Sequence, residues 1–249
     1  MTTAYLLNHP QHVEYVLQTN HRNYRKSPLV ERMRPLFGNG LLIAENELWE
    51  RQRKLIQPSF KRKNLDLLNE HILKVISAHV SSWDERAQSG EEFNLSEDMS
   101  VLTIEIVMQT FFGAALGDAG ARLYQAMLLI NEVMAKRIWD VTTLATKLPT
   151  RENRAYDAAL KTVHGIVAEI IEARRRNAVP AEDLLGILMG ACDDTDGAAM
   201  SDQQLQDEVV TLIVAGFEST ASLLAWSFFF LHQHPHILEN LRNEADMVL

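Results

Sequence analysis

The longest apolar run in the chain is Val209–Leu231, broken only at its middle by Glu218-Ser219-Thr220. Ser201 stands upstream as an N-cap, with Gln204 at the capping-box spacing. Pro235 stops the helix downstream, because it has no N–H to donate and its ring crowds the preceding turn. The pattern predicts one helix of roughly 32 residues, about 48 Å long at 1.5 Å per residue. Burying a carboxylate in such a helix is costly unless it is paired or protonated.

The remaining pattern is also helical. Tyr5–Asn8 is a stub read as a strand, and His9-Pro10 opens a helix to about Thr19. Residues 23–45 are loop-rich, with Pro28, Pro35 and the turn Gly38-Asn39-Gly40. Glu47–Gln57 reads as a short basic amphipathic helix ended by Pro58. Residues 64–88 place Leu65, Leu67, Leu68, Ile72, Val75 and Ile76 on one apolar face. Glu91–Leu95 is read as a lone strand, and Ser96 as the cap of a helix to Phe112. Helices follow at 119–140, 151–178 and 181–191, then an acidic loop at Asp193–Gly197. A last helix starts at Pro235. The predicted class is mainly α with minor β. With no repeat and no linker, residues 1–249 read as a single partial domain with no second domain.

Composition agrees: 47% of the 249 residues are hydrophobic and 23% charged, with only 11 Gly and 7 Pro. One cysteine excludes a disulfide framework and suggests a reducing, cytoplasmic setting. No signal peptide is legible in MTTAYLLNHPQ. The run Val209–Leu231 is long enough to span a bilayer. Glu218 would then sit near the bilayer centre at a cost of about 2.5–3.5 kcal/mol, and the flanks carry no Lys/Arg bias. The expectation is therefore a core helix and no membrane span. The formal charge is −9, yet residues 20–63 hold eleven Lys/Arg against four acids. A basic face on an acidic protein suits an acidic partner. No helix-turn-helix or interleaved aromatic pattern supports nucleic-acid binding.

Two clusters carry candidate chemistry. In Ala215-Gly216-Phe217-Glu218-Ser219-Thr220, Ala215 shares a face with Ser219, and Gly216 with Thr220. Hydroxyls at these positions can bond back to the i−4 carbonyl. An acid beside a hydroxyl makes a plausible proton relay. The same residues also suit a close helix crossing with a satisfied polar trio. Trp49 and Arg53 lie four apart on a second helix. An indole N–H and a planar guanidinium suit a carboxylate or phosphate, and equally a surface Arg packed on a Trp.

Together and in this order, FGNGLLIAENELWERQRKLIQPSF (Phe37–Phe60) and AGFEST (Ala215–Thr220) resemble the cytochrome P-450 family of haem-thiolate monooxygenases. The first is similar to that family's Trp-x-x-x-Arg helix with its Gly-x-Gly-Leu loop and trailing Pro-x-Phe. The second is similar to its oxygen-groove motif. The resemblance covers essentially the whole chain, including HPHILENLRNEADMVL (234–249) after the groove helix. It implies a P-450-like fold, incomplete here, and haem as cofactor. It further implies an apolar small-molecule substrate and a ferredoxin- or flavodoxin-type redox partner. Trp49 and Arg53 would hold a haem propionate. Ala215 and Gly216 would lie against the haem face, with Glu218, Ser219 and Thr220 as the catalytic acid and hydroxyls.

Two departures matter. The family usually has Thr at the position of Ser219; Ser keeps the hydroxyl but loses the methyl that restricts its rotamer. The family's Glu-x-x-Arg helix and Cys-ligand loop are absent, so no metal ligand is assigned. Cys192 precedes the groove helix and is not the equivalent ligand. Thiolate ligation drives O–O cleavage, so the chain is expected to be a fragment, inactive alone. The competing readings are a non-enzymatic helical remnant and a helical ligand-binding protein. Asp194-x-Asp196-Gly197 lacks the outer ligands of a calcium loop, and His232, His234 and His236 straddle the break at Pro235.

Overall fold

The computed structural model describes residues 4–60, 62–90, 92–114, 117–139, 148–177, 183–192, 197 and 199–248. Side chains are described except at 62–67, 138–139 and 177. Ten α-helices follow one another among these residues. The first four are α1 (Pro10–Glu14), α2 (Arg34–Phe37), α3 (Asn46–Ile56) and α4 (Arg62–Ser89). Then come α5 (Leu95–Phe112), α6 (Asp118–Trp139) and α7 (Arg151–Asn177). The last are α8 (Leu184–Gly190), α9 (Asp202–Gln233) and α10 (Pro235–Val248). Tighter turns extend several of them, including a π-helical turn at Tyr15–Thr19 that prolongs α1.

The predicted long helix is α9. The Ser201 hydroxyl accepts the Gln204 backbone N–H at 3.2 Å, which satisfies one orphan donor of its first turn. Leu205, Val209, Ile213 and Phe217 recur every four residues and are all buried. They join α5 residues Ile104, Val107 and Met108 in the main core, with Met127 and Ile130 of α6 and Val163 and Val167 of α7. A second, smaller cluster joins Val75, Met99, Leu102 and Ala221.

The α4–α5 contact also holds a buried acid. Asp98 accepts from Trp83 Nε1 and Arg86 Nη1 at 2.8 and 2.7 Å, and pairs with His79 Nε2 at 2.8 Å. Burial pushes the Asp98 carboxyl upward, but those three partners outweigh it and hold it below the ordinary range.

Four sequence expectations are corrected. Tyr5–Asn8 and the described part of 91–95 are not strands; among the described residues the only β feature is an isolated bridge between Cys192 and Ala199. The cap of α5 is Asn94, not Ser96: its Oδ1 accepts the Ser96 and Glu97 N–H groups. Asn-led caps and short polar strands look alike in sequence, which explains both misreadings. The helix expected from 181 begins at Leu184, capped by Asp183, whose side chain accepts the Gly186 N–H and pairs with Arg174. Finally, α9 is a core helix only in its first half. Leu223, Trp226, Phe229 and Phe230 are exposed; the three aromatic rings cluster on one another, those of Trp226 and Phe230 stacking at 5.8 Å. By length and composition alone α9 is apolar enough to cross a membrane, and 39% of that window is buried within the fold. The acidic residues 193–196 and the side chains of Leu65 and Leu67 lie outside the described residues.

Candidate functional site

The two clusters singled out in the sequence sit on α3 and α9, and a glycine loop ties those helices together. Gly38 adopts φ +53°, a backbone that favours glycine. A Cβ there would lie 2.2 Å from the Asp207 carboxylate, and one on Gly40 would lie 2.2 Å from Thr211 Oγ1. Both glycines therefore let the loop press directly onto α9. The Asn39 N–H donates to Asp207 Oδ2 at 2.7 Å, and the Leu41 N–H donates to Glu208 Oε2 at 3.0 Å. From the α3 side, Gln52 Nε2 donates to the Asn39 carbonyl at 3.0 Å.

Lys26 seals the far end of the loop. Its ammonium donates to the carbonyls of Leu41, Leu42 and Ala44 at 3.0, 2.8 and 2.6 Å. Burial lowers its pKa, against the opposing pull of Glu45 and Glu208. Glu208 is fully buried, and its Oε1 has no hydrogen-bond partner among the described residues. Burial, reinforced by the neighbouring Asp207, pushes its carboxyl up to about 7; the Leu41 N–H and Lys26 pull the other way. In the sequence Asp207 and Glu208 stand only as acids before an apolar run, and Lys26 as one of the eleven Lys/Arg in residues 20–63. The available signal was their spacing: two acids at the start of an apolar face, far from any sequence-local cation.

On α3, Trp49 is half-buried and Arg53 is exposed, one turn apart on one face, with buried Gln52 between them in sequence. The Trp49 ring lies 6.5 Å from the His21 ring, and Glu50 pairs with Arg22 at 3.1 Å. Trp49, His21, Arg25, Tyr24 and Leu17 line a groove of about 330 Å³. The Arg53 guanidinium has no side-chain partner among the described residues. Much of the remaining basic stretch is already engaged. Arg34 pairs with Glu31, and Arg32 donates to the Arg137 carbonyl. The side chains of Lys61, Arg62 and Lys63 lie outside the described residues.

On α9, the two sequence readings of Ala215–Thr220 divide between residues. Gly216 belongs to a helix crossing: a Cβ there would meet Val107 Cγ2 of α5 at 2.9 Å. Ala215, Glu218, Ser219 and Thr220 are exposed on the open side. Ser219 Oγ donates to the Ala215 carbonyl at 3.1 Å and Thr220 Oγ1 to the Gly216 carbonyl at 2.9 Å, as the spacing predicts. Glu218 Oε1 accepts from Asn131 Nδ2 of α6 at 2.8 Å. Although the residue as a whole reaches solvent, surrounding protein shields much of the carboxyl, and this desolvation raises its pKa.

Among the described residues no group of His, Cys, Asp and Glu gathers as a metal site. Cys192 is exposed, its thiol nearest the Gly190 carbonyl at 3.8 Å.

A family model described as "Cytochrome P450" matches residues 1–249, and the chain belongs to that family. Members of this family bind haem. The cyclooctat-9-en-7-ol 5-monooxygenase of Streptomyces melanosporofaciens is 32% identical over 99% of this chain and 53% of its own length. The pentalenene oxygenase of Streptomyces avermitilis is 30% identical over the whole chain and 54% of its own length. The crystal structure of the cytochrome P450DA haem domain superposes with a TM-score of 0.80 at 25% identity, covering 94% of this chain and 52% of that one. The chain thus spans about half the length of the relatives it matches.

Proposed function

We propose that this chain forms part of a haem-dependent monooxygenase that hydroxylates an apolar organic substrate with O2 and electrons from a redox partner. The observation that carries the reading is the exposed Glu218-Ser219 pair on an otherwise apolar helix, with a carboxyl raised by desolvation. The residues present fit the cofactor. The unpaired Arg53 guanidinium beside the Trp49 indole suits a propionate. Ala215 presents only a methyl on the open side of α9, which leaves room for a flat ring.

Haem, when bound, would supply the activation of O2, which is the source of the oxygen atom transferred to the substrate. The chain's own residues bind it and manage protons. Arg53 and Trp49 would donate to a propionate. Gly216 keeps α9 close to α5, so Ala215 is held in place. Glu218, favoured in its protonated form by desolvation, holds a proton, and the Ser219 hydroxyl passes it on by releasing the Ala215 carbonyl. Thr220 stays bonded to the Gly216 carbonyl and steadies the same turn.

The relatives' names, a cyclooctat-9-en-7-ol monooxygenase and a pentalenene oxygenase, support a hydrocarbon-rich substrate. The redox partner is of ferredoxin or flavodoxin type. A "self-sufficient" relative from Penicillium camemberti, 27% identical over 88% of this chain, favours a fused reductase as the second reading. On this reading the chain is a single partial domain of a cytoplasmic protein. The test is haem-dependent oxygenation by the whole protein, compared between wild type and the Glu218→Gln and Ser219→Ala variants.

A further inference from the structure

We infer that Asn131 is a positioning residue for Glu218, orienting the acid through one carboxylate oxygen while leaving its charge state free to change. This rests on the proton-relay reading of Glu218.

Asn131 comes from a different helix, 87 residues away in sequence, and its amide reaches Glu218 Oε1 at 2.8 Å. That is the only hydrogen bond the Glu218 carboxyl makes among the described residues, which leaves Oε2 without a protein partner. Both backbones are pinned at this point. Ile130, Val133 and Met134 of α6 are core residues around Asn131, and Phe217 is a core residue beside Glu218. The amide therefore sits where packing puts it.

The choice of an amide matters. A Lys or Arg in this place would favour the carboxylate and oppose protonation. A carboxylate partner would do the reverse. An amide offers a donor on one side and an acceptor on the other. Its N–H serves the ionised acid, and a flip lets its oxygen accept the O–H of the neutral acid. A relay acid has to load and unload a proton, and a neutral two-way partner orients it in both states. The charged neighbour on α6, Glu132, is turned away to Lys136 at 2.8 Å, and Lys136 also holds Glu152. No charge on α6 or α7 thus competes for Glu218 among the contacts observed.

The test is a carboxyl carbon-13 NMR titration of Glu218 in this chain, assigned with Glu218→Gln. The expected order of midpoints is Asn131→Asp highest and Asn131→Lys lowest, with Asn131→Ala and wild type close together between them. In wild type the Asn131 side-chain amide proton should also shift with the Glu218 midpoint; Asn131→Gln should retain near-wild-type behaviour. Identical midpoints in wild type, Asn131→Ala and Asn131→Lys would overturn the assignment. If one variant fails to fold, the remaining order and the amide shift decide. Neither readout needs haem, so a failure of haem binding would strike the proposed function and leave this contact standing.

Discussion

Asn39 and Asp207 stand 168 residues apart and meet at 2.7 Å, joining the loop before α3 to the first half of α9. Gln52 extends the link, since it donates to the carbonyl of the same Asn39. The helix carrying Trp49 and Arg53 is thereby fixed relative to the helix carrying Glu218. A residue with a side chain at either loop glycine breaks this arrangement.

Gly38→Ala should therefore be strongly destabilising. It places a Cβ 2.2 Å from the Asp207 carboxylate on a backbone at φ +53°. Gly90→Ala is the control, with φ +69° and open space around it. The control should lose about 1 kcal/mol for backbone strain alone. Gly38→Ala should lose about 1–3 kcal/mol more, the range for overpacking, when both are unfolded in urea.

Glu208 should make stability fall as pH rises through neutrality. Its folded pKa of about 7 lies above the ordinary value of 4.5. The folded state therefore binds the extra proton between those values. The stabilisation is complete below about pH 4.5 and is lost as pH passes 7. A gap of this size corresponds to roughly 3 kcal/mol. Glu218, also raised, acts in the same direction. Urea unfolding at pH 5 and pH 8 checks it: Glu208→Gln should flatten the difference while keeping an acceptor for the Leu41 N–H.

The helices were legible because their apolar spacing is strong, and α9 came out at its full length from one cap and one proline. Its unequal burial was not legible. Trp226, Phe229 and Phe230 are as apolar as Ile213 and Phe217, and what distinguishes the two halves is which of them the other helices cover. The site was half legible. Ser219 and Thr220 bond back to the carbonyls their spacing selects. Asn131 was invisible, because a polar residue on a half-apolar helix carries no mark of a partner 87 positions away. The part played by Asp207 and Glu208 was not legible, because sequence does not reveal that a glycine loop will cover two acids.

Arg53 should be a haem anchor. Arg53→Ala removes charged donors worth about 1.5–3 kcal/mol, so haem should bind roughly ten- to a hundredfold more weakly in a Soret titration. Lys54→Ala is the control on the same helix. Cys192→Ser should leave the absorption spectrum of added haem unchanged, because the exposed thiol lies on the loop before α9. Equal affinities for Arg53→Ala and wild type would return Arg53 to the surface.

The central claim is that Glu218 and Ser219 move protons rather than hold the fold together. The most direct measurement is product formed per reductant consumed in the whole haem-loaded protein, with melting temperatures taken alongside. Glu218→Gln and Ser219→Ala should stay folded, keep haem and consume reductant while releasing peroxide or water in place of product. Ser219→Thr should hold or improve the ratio. A structural role instead predicts a loss of about 0.5–1.5 kcal/mol for each lost hydrogen bond. An unchanged product ratio across all three variants, with lowered melting temperatures, would contradict the account.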